Sequence, residues 1–175
     1  MKKNLALWQF SGFALTSLLG TILHFLYDWA GESPLVATFS AVNESTFEHL
    51  KLFFFPAFLF SLIQYKFFKE YKNFWCIKLV GVLTGLISIP VLFYTYNGAI
   101  GKSPDWLNIA FFFISAALSF LVEWFLFKTN RVSCNNSRLC FISLCFIGFL
   151  FIVFTFFAPK LAIFKDPVTN TFGLK

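Results

Sequence analysis

His24 and His49 are the two histidines of this 175-residue chain, and both stand among carboxylates. The first lies in His24-Phe-Leu-Tyr-Asp28 and the second in Asn43-Glu44-Ser-Thr-Phe-Glu48-His49-Leu-Lys51. Two imidazoles with two or three carboxylates are the donor set for Zn²⁺, Mn²⁺ or Fe²⁺, and a metal with an open position lowers the pKa of bound water for hydrolysis. His24, Asp28, Glu44, Glu48 and His49 are therefore the candidate ligands of a divalent metal such as zinc. Without a metal, His49 or Glu44 could act as acid or base and Lys51 as an anion contact. The same groups could instead bind a transported proton, ion or small solute. Asp28 lies one helical turn from His24, where its carboxylate could orient the imidazole. The spacing is not that of H-E-x-x-H or another established metal signature.

The elements that must carry these groups are apolar. Hydrophobic residues make up 58% of the chain and charged residues 13%, beyond the roughly 45–50% apolar usage of a soluble domain. Crossing a hydrocarbon layer of about 30 Å takes roughly 20 helical residues. Five runs meet that requirement, at 5–29, 47–68, 74–96, 106–127 and 139–158, followed by a tail at 159–175. Backbone polar groups in lipid must be satisfied within the segment, so the expected fold is all-α: one polytopic membrane bundle and one domain. Met-Lys-Lys before the first run resembles a signal peptide, but no Ala-x-Ala site follows, and the run reads as an uncleaved span. Lys66, Lys69, Lys72 and Lys78, then Lys128, Arg131 and Arg138, together with Lys2 and Lys3, place those ends in the cytoplasm. The expected topology is N-terminus inside and C-terminus outside. A net charge of +6 is explained by these loops. Membrane lipids with anionic headgroups are the expected partner, not nucleic acid.

Within the first span Ser17, Thr21, His24 and Asp28 recur as one polar stripe beside Gly20, expected to face other helices. Ser45-Thr-Phe-Glu48 reads as a capping box opening the second span, with Asn43 as the alternative cap and Val42 against Phe47 as a staple. On a helix Glu44, Glu48 and Lys51 share a face, with His49 turned about 100° from Glu48. Gly81-Val-Leu-Thr-Gly85 is a GxxxG that permits close helix approach, within the chain or to a second copy. Pro56 and Pro90 leave the carbonyls of Leu52 and Leu86 without their helical donors. Cys76, Cys134, Cys140 and Cys145 lack C-x-x-C spacing and read as reduced packing residues, not as a zinc site. Glu123 reads as an interfacial partner of Lys128 or Arg131.

The topology gathers His24, Asp28, Glu44, Glu48, His49 and Lys51 at one membrane face, joined there by Tyr94, Asn97, Asp105 and Asp166. These residues define the candidate site. Its functional classes are a metal-assisted hydrolase or transferase acting on a lipid or envelope substrate, or a non-enzymatic transporter, sensor or assembly subunit.

The strings His-Phe-Leu-Tyr-Asp-Trp at 24–29, Val-Asn-Glu-Ser-Thr-Phe-Glu-His-Leu-Lys-Leu at 42–52 with Phe55-Pro56, Tyr-Thr-Tyr-Asn-Gly at 94–98 and Asp-Pro-Val-Thr-Asn-Thr-Phe-Gly at 166–173 carry a resemblance. They resemble the motifs of a family of small bacterial multi-pass membrane proteins known as a domain of unknown function. The chain departs from that pattern at Phe47, where the family has Trp, and at Asn170 and Phe172, where it has Gly and Tyr. The resemblance implies a bacterial inner-membrane location and a tail at 166–173 folded back over the outer surface as a lid. It implies no activity.

Overall fold

A computed structural model of the chain describes residues 4–174. Among them it forms helices and no strand: α1 (Leu5–Trp29), α2 (Pro34–Ala37), α3 (Thr46–Tyr65), α4 (Phe74–Ala99), α5 (Asp105–Thr129), α6 (Ser137–Phe156) and a 3-10 turn at Ala162–Phe164. The five long helices are each long and apolar enough to cross a membrane, as the five runs predicted. This is a multi-pass membrane protein. Local chemistry sets the boundaries. Asn4 Oδ1 accepts from the Leu7 amide at 3.2 Å and Asn136 Oδ1 from the Leu139 amide at 3.2 Å, each satisfying a donor left orphaned at a helix start. Asn130 closes α5 in the left-handed conformation, at φ 49°.

Successive spans run antiparallel. The end of α1, the starts of α3 and α5 and the ends of α4 and α6 therefore share one end of the bundle, called here the site end. α1 packs against α3 and α5, α4 against α5, and α6 against α4 and α3. α3 is the axis of this arrangement, burying Leu52, Phe53, Phe54, Ala57 and Phe60. Outside, Leu18 and Phe25 of α1, Leu121 and Phe125 of α5, and Phe146 and Phe149 of α6 remain exposed, a large apolar perimeter suited to lipid.

Several expectations are corrected by packing. Glu123 does not reach Lys128 or Arg131. It turns inward and pairs with Lys78 of α4 at 2.5 Å, with both side chains essentially buried. Lys78 is thus a bundle residue, and its ammonium lies 5.4 Å from the Phe60 ring centre and 5.5 Å from that of Phe120. The GxxxG, by contrast, permits the close helix approach expected of it, to α5 and α3 of the same chain. A Cβ on Gly81 would lie 2.3 Å from Glu123 Cγ, and one on Gly85 2.2 Å from Phe53 Cζ. The cysteines are not dispersed thiols: the Sγ atoms of Cys76, Cys134 and Cys140 lie within 4.8 Å of one another, with Cys140 Sγ 2.9 Å from Cys76 Sγ. Asn73 brings them together, because its Nδ2 donates to Asn130 Oδ1 and to the Val132 carbonyl and draws the 130–136 loop onto the start of α4.

The stripe on α1 also splits. Ser17 is buried and His24 half-buried, but Thr21 and Asp28 are exposed, and Thr21 Oγ1 donates back to the Ser17 carbonyl at 2.9 Å. The packed face is instead Gln9, Gly12, Thr16, Ser17, Gly20 and Tyr27. Glycine is required at its crossings. A Cβ on Gly12 would lie 2.5 Å from rings of both Phe60 and Phe120, and one on Gly20 2.8 Å from the Leu52 carbonyl oxygen.

Candidate metal centre

The start of α3 is built by a shared cap. Ser45 holds extended backbone as N-cap, and its Oγ accepts from the Glu48 amide at 3.4 Å. The reciprocal half of the capping box is not made by Glu48. Asn43 Oδ1 accepts from the Ser45 amide at 2.9 Å instead, which frees the Glu48 carboxylate to accept from the Val42 amide at 3.1 Å. Because Ser45 is extended, Glu44 precedes the helix and leaves the face of Glu48 and Lys51 on which continuous helical geometry placed it. It swings toward the histidines.

On the other side of the site the last turn of α1 is spliced by Ser40. Its Oγ accepts from the Tyr27 amide at 3.0 Å and donates to the Leu23 carbonyl, standing between two groups that would otherwise bond each other in the helix. Leu23 and Tyr27 bracket His24, so the 38–40 segment helps set where that imidazole lies. Neither histidine position nor Glu48 spacing signalled this role for Ser40.

His24 Nε2 lies 3.7 Å from Glu44 Oε2, and His49 Nε2 3.6 Å from the same oxygen. The two rings are 5.3 Å apart between centres. One ligand atom from each residue fits within 4.8 Å of the others. Four N/O ligands at zinc distances stand about 3.4 Å apart at the corners of a tetrahedron, and both imidazole–carboxylate distances lie within about 0.3 Å of that spacing. His49 Nδ1 lies 2.9 Å from the Ser45 carbonyl oxygen, to which it can only donate. That contact fixes the tautomer and leaves Nε2 with its lone pair toward Glu44. The Glu44 side chain is 48% exposed and the two imidazoles 30%, which leaves room for water or substrate as a further ligand.

The remaining candidates separate from this trio. Glu48 is buried and accepts Lys51 Nζ at 2.6 Å. The same ammonium donates to the Ala37 carbonyl and to Thr155 Oγ1, both at 2.8 Å. All three Lys51 donors are thereby used inside the protein, tying α2, α3 and α6 together, and none is left for an anion. Asp28 is exposed and makes no ion pair with His24, whose ring turns across to α3 instead. Tyr94 is brought close to the site, its hydroxyl 3.3 Å from Thr46 Oγ1, one turn before His49. Asn97 organises its own loop, accepting from the Ser103 amide at 2.9 Å and donating to the Phe93 carbonyl at 2.7 Å. Asp105 is an exposed first-turn residue of α5. Asp166 is buried as a turn cap: its carboxylate accepts from the Val168 amide at 2.8 Å and from the Thr169 hydroxyl at 2.5 Å. The tail it shapes does fold back onto the bundle. Asn43 Nδ2 donates to the Gly173 carbonyl at 3.0 Å, and the Phe164 ring packs at a tilt against Phe47, with centres 4.3 Å apart.

A family model matches residues 1–174, nearly the whole chain. The chain belongs to the Family of unknown function (DUF6512). No curated protein and no solved structure matches it. Membership extends over all five spans and the tail, so the His24–Glu44–His49 geometry, the Lys51 tripod and the Asp166 turn all lie inside the family region.

Proposed function

We propose that this member of the family binds a divalent transition metal, zinc foremost, through His24, Glu44 and His49, and uses it as a metal-assisted hydrolase or transferase on a lipid or envelope substrate. The observation that carries the reading is the convergence of two imidazole nitrogens on one carboxylate oxygen, at 3.7 and 3.6 Å, from two separate stretches of chain. A metal held by two histidines and a carboxylate, with an open position, supplies water of lowered pKa and polarises a carbonyl or phosphoryl oxygen. Glu44 and the His49–Ser45 contact support the ligand role, and Tyr94 is the nearby hydroxyl for substrate contact. In this reading the site end faces outward from a bacterial inner membrane. Lys69, Lys72 and Arg138 at the opposite end border a cavity with Tyr65 and Tyr71, which favours anionic headgroups there.

The test is elemental analysis of the detergent-purified protein beside His24→Ala/His49→Ala. Near-stoichiometric zinc, manganese or iron in the native protein, lost in the double variant, is the expected result and directs hydrolase assays to the native form. Equal metal in both, or none in either after reconstitution, overturns the proposal. Ser40→Ala provides a finer check. Restoring the direct Tyr27–Leu23 bond moves His24, so metal should be held about 10–100-fold more weakly, the usual effect of losing an outer supporting contact. Competitive titration with a chromophoric chelator measures it, and unchanged affinity would show that Ser40 does not position the ligand.

A further inference from the structure

At the end of the bundle opposite the histidines, three cysteines from three parts of the chain meet. Cys76 lies in the first turn of α4, Cys134 in the connection from α5 and Cys140 in the first turn of α6. Cys134 is 58 residues from Cys76, and Cys140 is 64 from it. One sulfur from each falls within 4.8 Å of the other two.

The surrounding contacts hold all three to one level. Trp75 and Phe141, the chain neighbours of Cys76 and Cys140, pack with ring centres 4.6 Å apart and so bring the start of α4 against the start of α6. Asn73 is a double tether, donating to Asn130 Oδ1 at 3.2 Å and to the Val132 carbonyl at 3.0 Å, which carries Cys134 in beside them. The Asn136 cap on the Leu139 amide fixes where α6 begins, and with it Cys140.

Sulfur donors select soft ions: copper(I), zinc or an iron–sulfur cluster. Structural zinc takes four ligands, and iron–sulfur clusters are held by four cysteines. Among the described residues this group has three ligands and no fourth His, Cys, Asp or Glu. Copper(I) is the soft ion that three thiolates satisfy in a plane. A disulfide would account for two of the sulfurs and leave the third, only 2.9 Å from Cys76 Sγ, without a role. With the site end outward, this end faces the reducing cytoplasm, where thiols stay free to bind metal.

Coordinated thiols are deprotonated outright, so three thiolates around one copper(I) carry a net charge of −2. That charge would sit at the N-terminal ends of α4 and α6, where helix dipoles favour an anion. Lys72 and Arg138 border the cavity that Trp75 and Phe141 also line, and add positive charge at the same end. Sulfurs about 2.3 Å from an ion in one plane stand about 4 Å apart, so an entering ion parts Cys76 from its two neighbours. The irregular connection at 130–136, exposed at Arg131, Ser133, Asn135 and Asn136, lets Cys134 move outward to make that room.

We propose that Cys76, Cys134 and Cys140 form a three-thiolate copper(I) site that clamps α4, α6 and the 130–136 connection. Each thiol gives its proton to water as it coordinates, and the ion does not change its oxidation state. The site shares no residue with the His24–Glu44–His49 centre and stands without it.

The test titrates the full-length protein in detergent, reduced with a phosphine and kept free of oxygen, with copper(I) held by the chromophoric chelator bicinchoninate. One copper(I) per chain is expected, with three sulfur neighbours in its X-ray absorption spectrum. Cys134→Ser and Cys140→Ser should each weaken binding by more than about 100-fold, beyond the loss of an outer supporting contact. Cys145→Ser, at the exposed fourth cysteine, should bind as the native chain does. His24→Ala/His49→Ala should also keep its copper(I), which separates this site from the histidine centre, and size-exclusion profiles show which variants are folded. No uptake by the native chain, native affinity in either folded cluster variant, or nitrogen and oxygen neighbours in place of sulfur overturns the proposal. So does protein alkylated at cell lysis that proves lighter by two hydrogens with Cys76 and Cys134 unlabelled, the mark of a covalent pair.

Discussion

Glu123→Ala should lose about 3–5 kcal/mol of stability, the range for removing one partner of a buried ion pair. The variant leaves the Lys78 ammonium enclosed by Phe60, Phe74 and Phe120 with its carboxylate gone. The ring faces attract a cation, but those contacts are already made in the native chain and do not replace the lost carboxylate and its hydrogen bond. Water cannot reach the ammonium to make up the difference. The neighbouring backbone is shaped for the pair as well, since Gly81 leaves the space Glu123 fills and Ser119 donates to the Gly81 carbonyl at 2.7 Å. Lys78→Met/Glu123→Leu removes both charges together and should recover most of the loss. Unfolding in mixed detergent micelles with increasing denaturing detergent, followed by circular dichroism, gives the comparison. A single variant as stable as the native chain would mean that Lys78 finds another route to solvent.

The second large effect is a crossed pattern at two acidic residues four positions apart. Glu44→Ala should abolish metal retention, weakening it by more than the about 10–100-fold typical of an outer supporting contact, because a ligand itself is removed. Its stability should change by no more than about 0.5 kcal/mol, as expected of an exposed side chain. Glu48→Ala should do the reverse. It keeps the metal and loses about 3–5 kcal/mol, because Lys51 remains buried without its counter-charge. Metal content and denaturation measured on the same two preparations give four numbers. If both variants lost metal while staying equally stable, the division of labour between Glu44 and Glu48 would be wrong.

That division shows what spacing could reach. The sequence alone marked Glu44 and Glu48 as neighbours of His49 but assigned both to ligation, because one residue decides the matter: Ser45 in extended conformation turns Glu44 out of the helix that carries Glu48. The S-x-x-E pattern correctly located the start of α3, yet Asn43 took the reciprocal half of the box. Lys51 looked like an anion contact because a lysine near a membrane surface is ordinarily solvated. Beyond Glu48, three residues before it, its partners Ala37 and Thr155 lie 14 and 104 residues away and carry no local signal. The same distance hid Lys78 from Glu123 and gathered Cys76, Cys134 and Cys140.

By itself the sequence determined that five helices cross a membrane, where each begins and ends to within a few residues, and that the histidines and their acidic neighbours meet at one end. These follow from hydrocarbon thickness, backbone hydrogen-bond satisfaction and capping, all of which act over a turn or two of chain. Only the tertiary structure decided which carboxylate faces the imidazoles, which charges are buried in pairs, and which cysteines meet. In a bundle whose helices are apolar on nearly every side, hydrophobicity does not choose a rotational setting for each helix. Close contacts such as those of Gly12 and Gly20 do, and they exist only once the helices have packed.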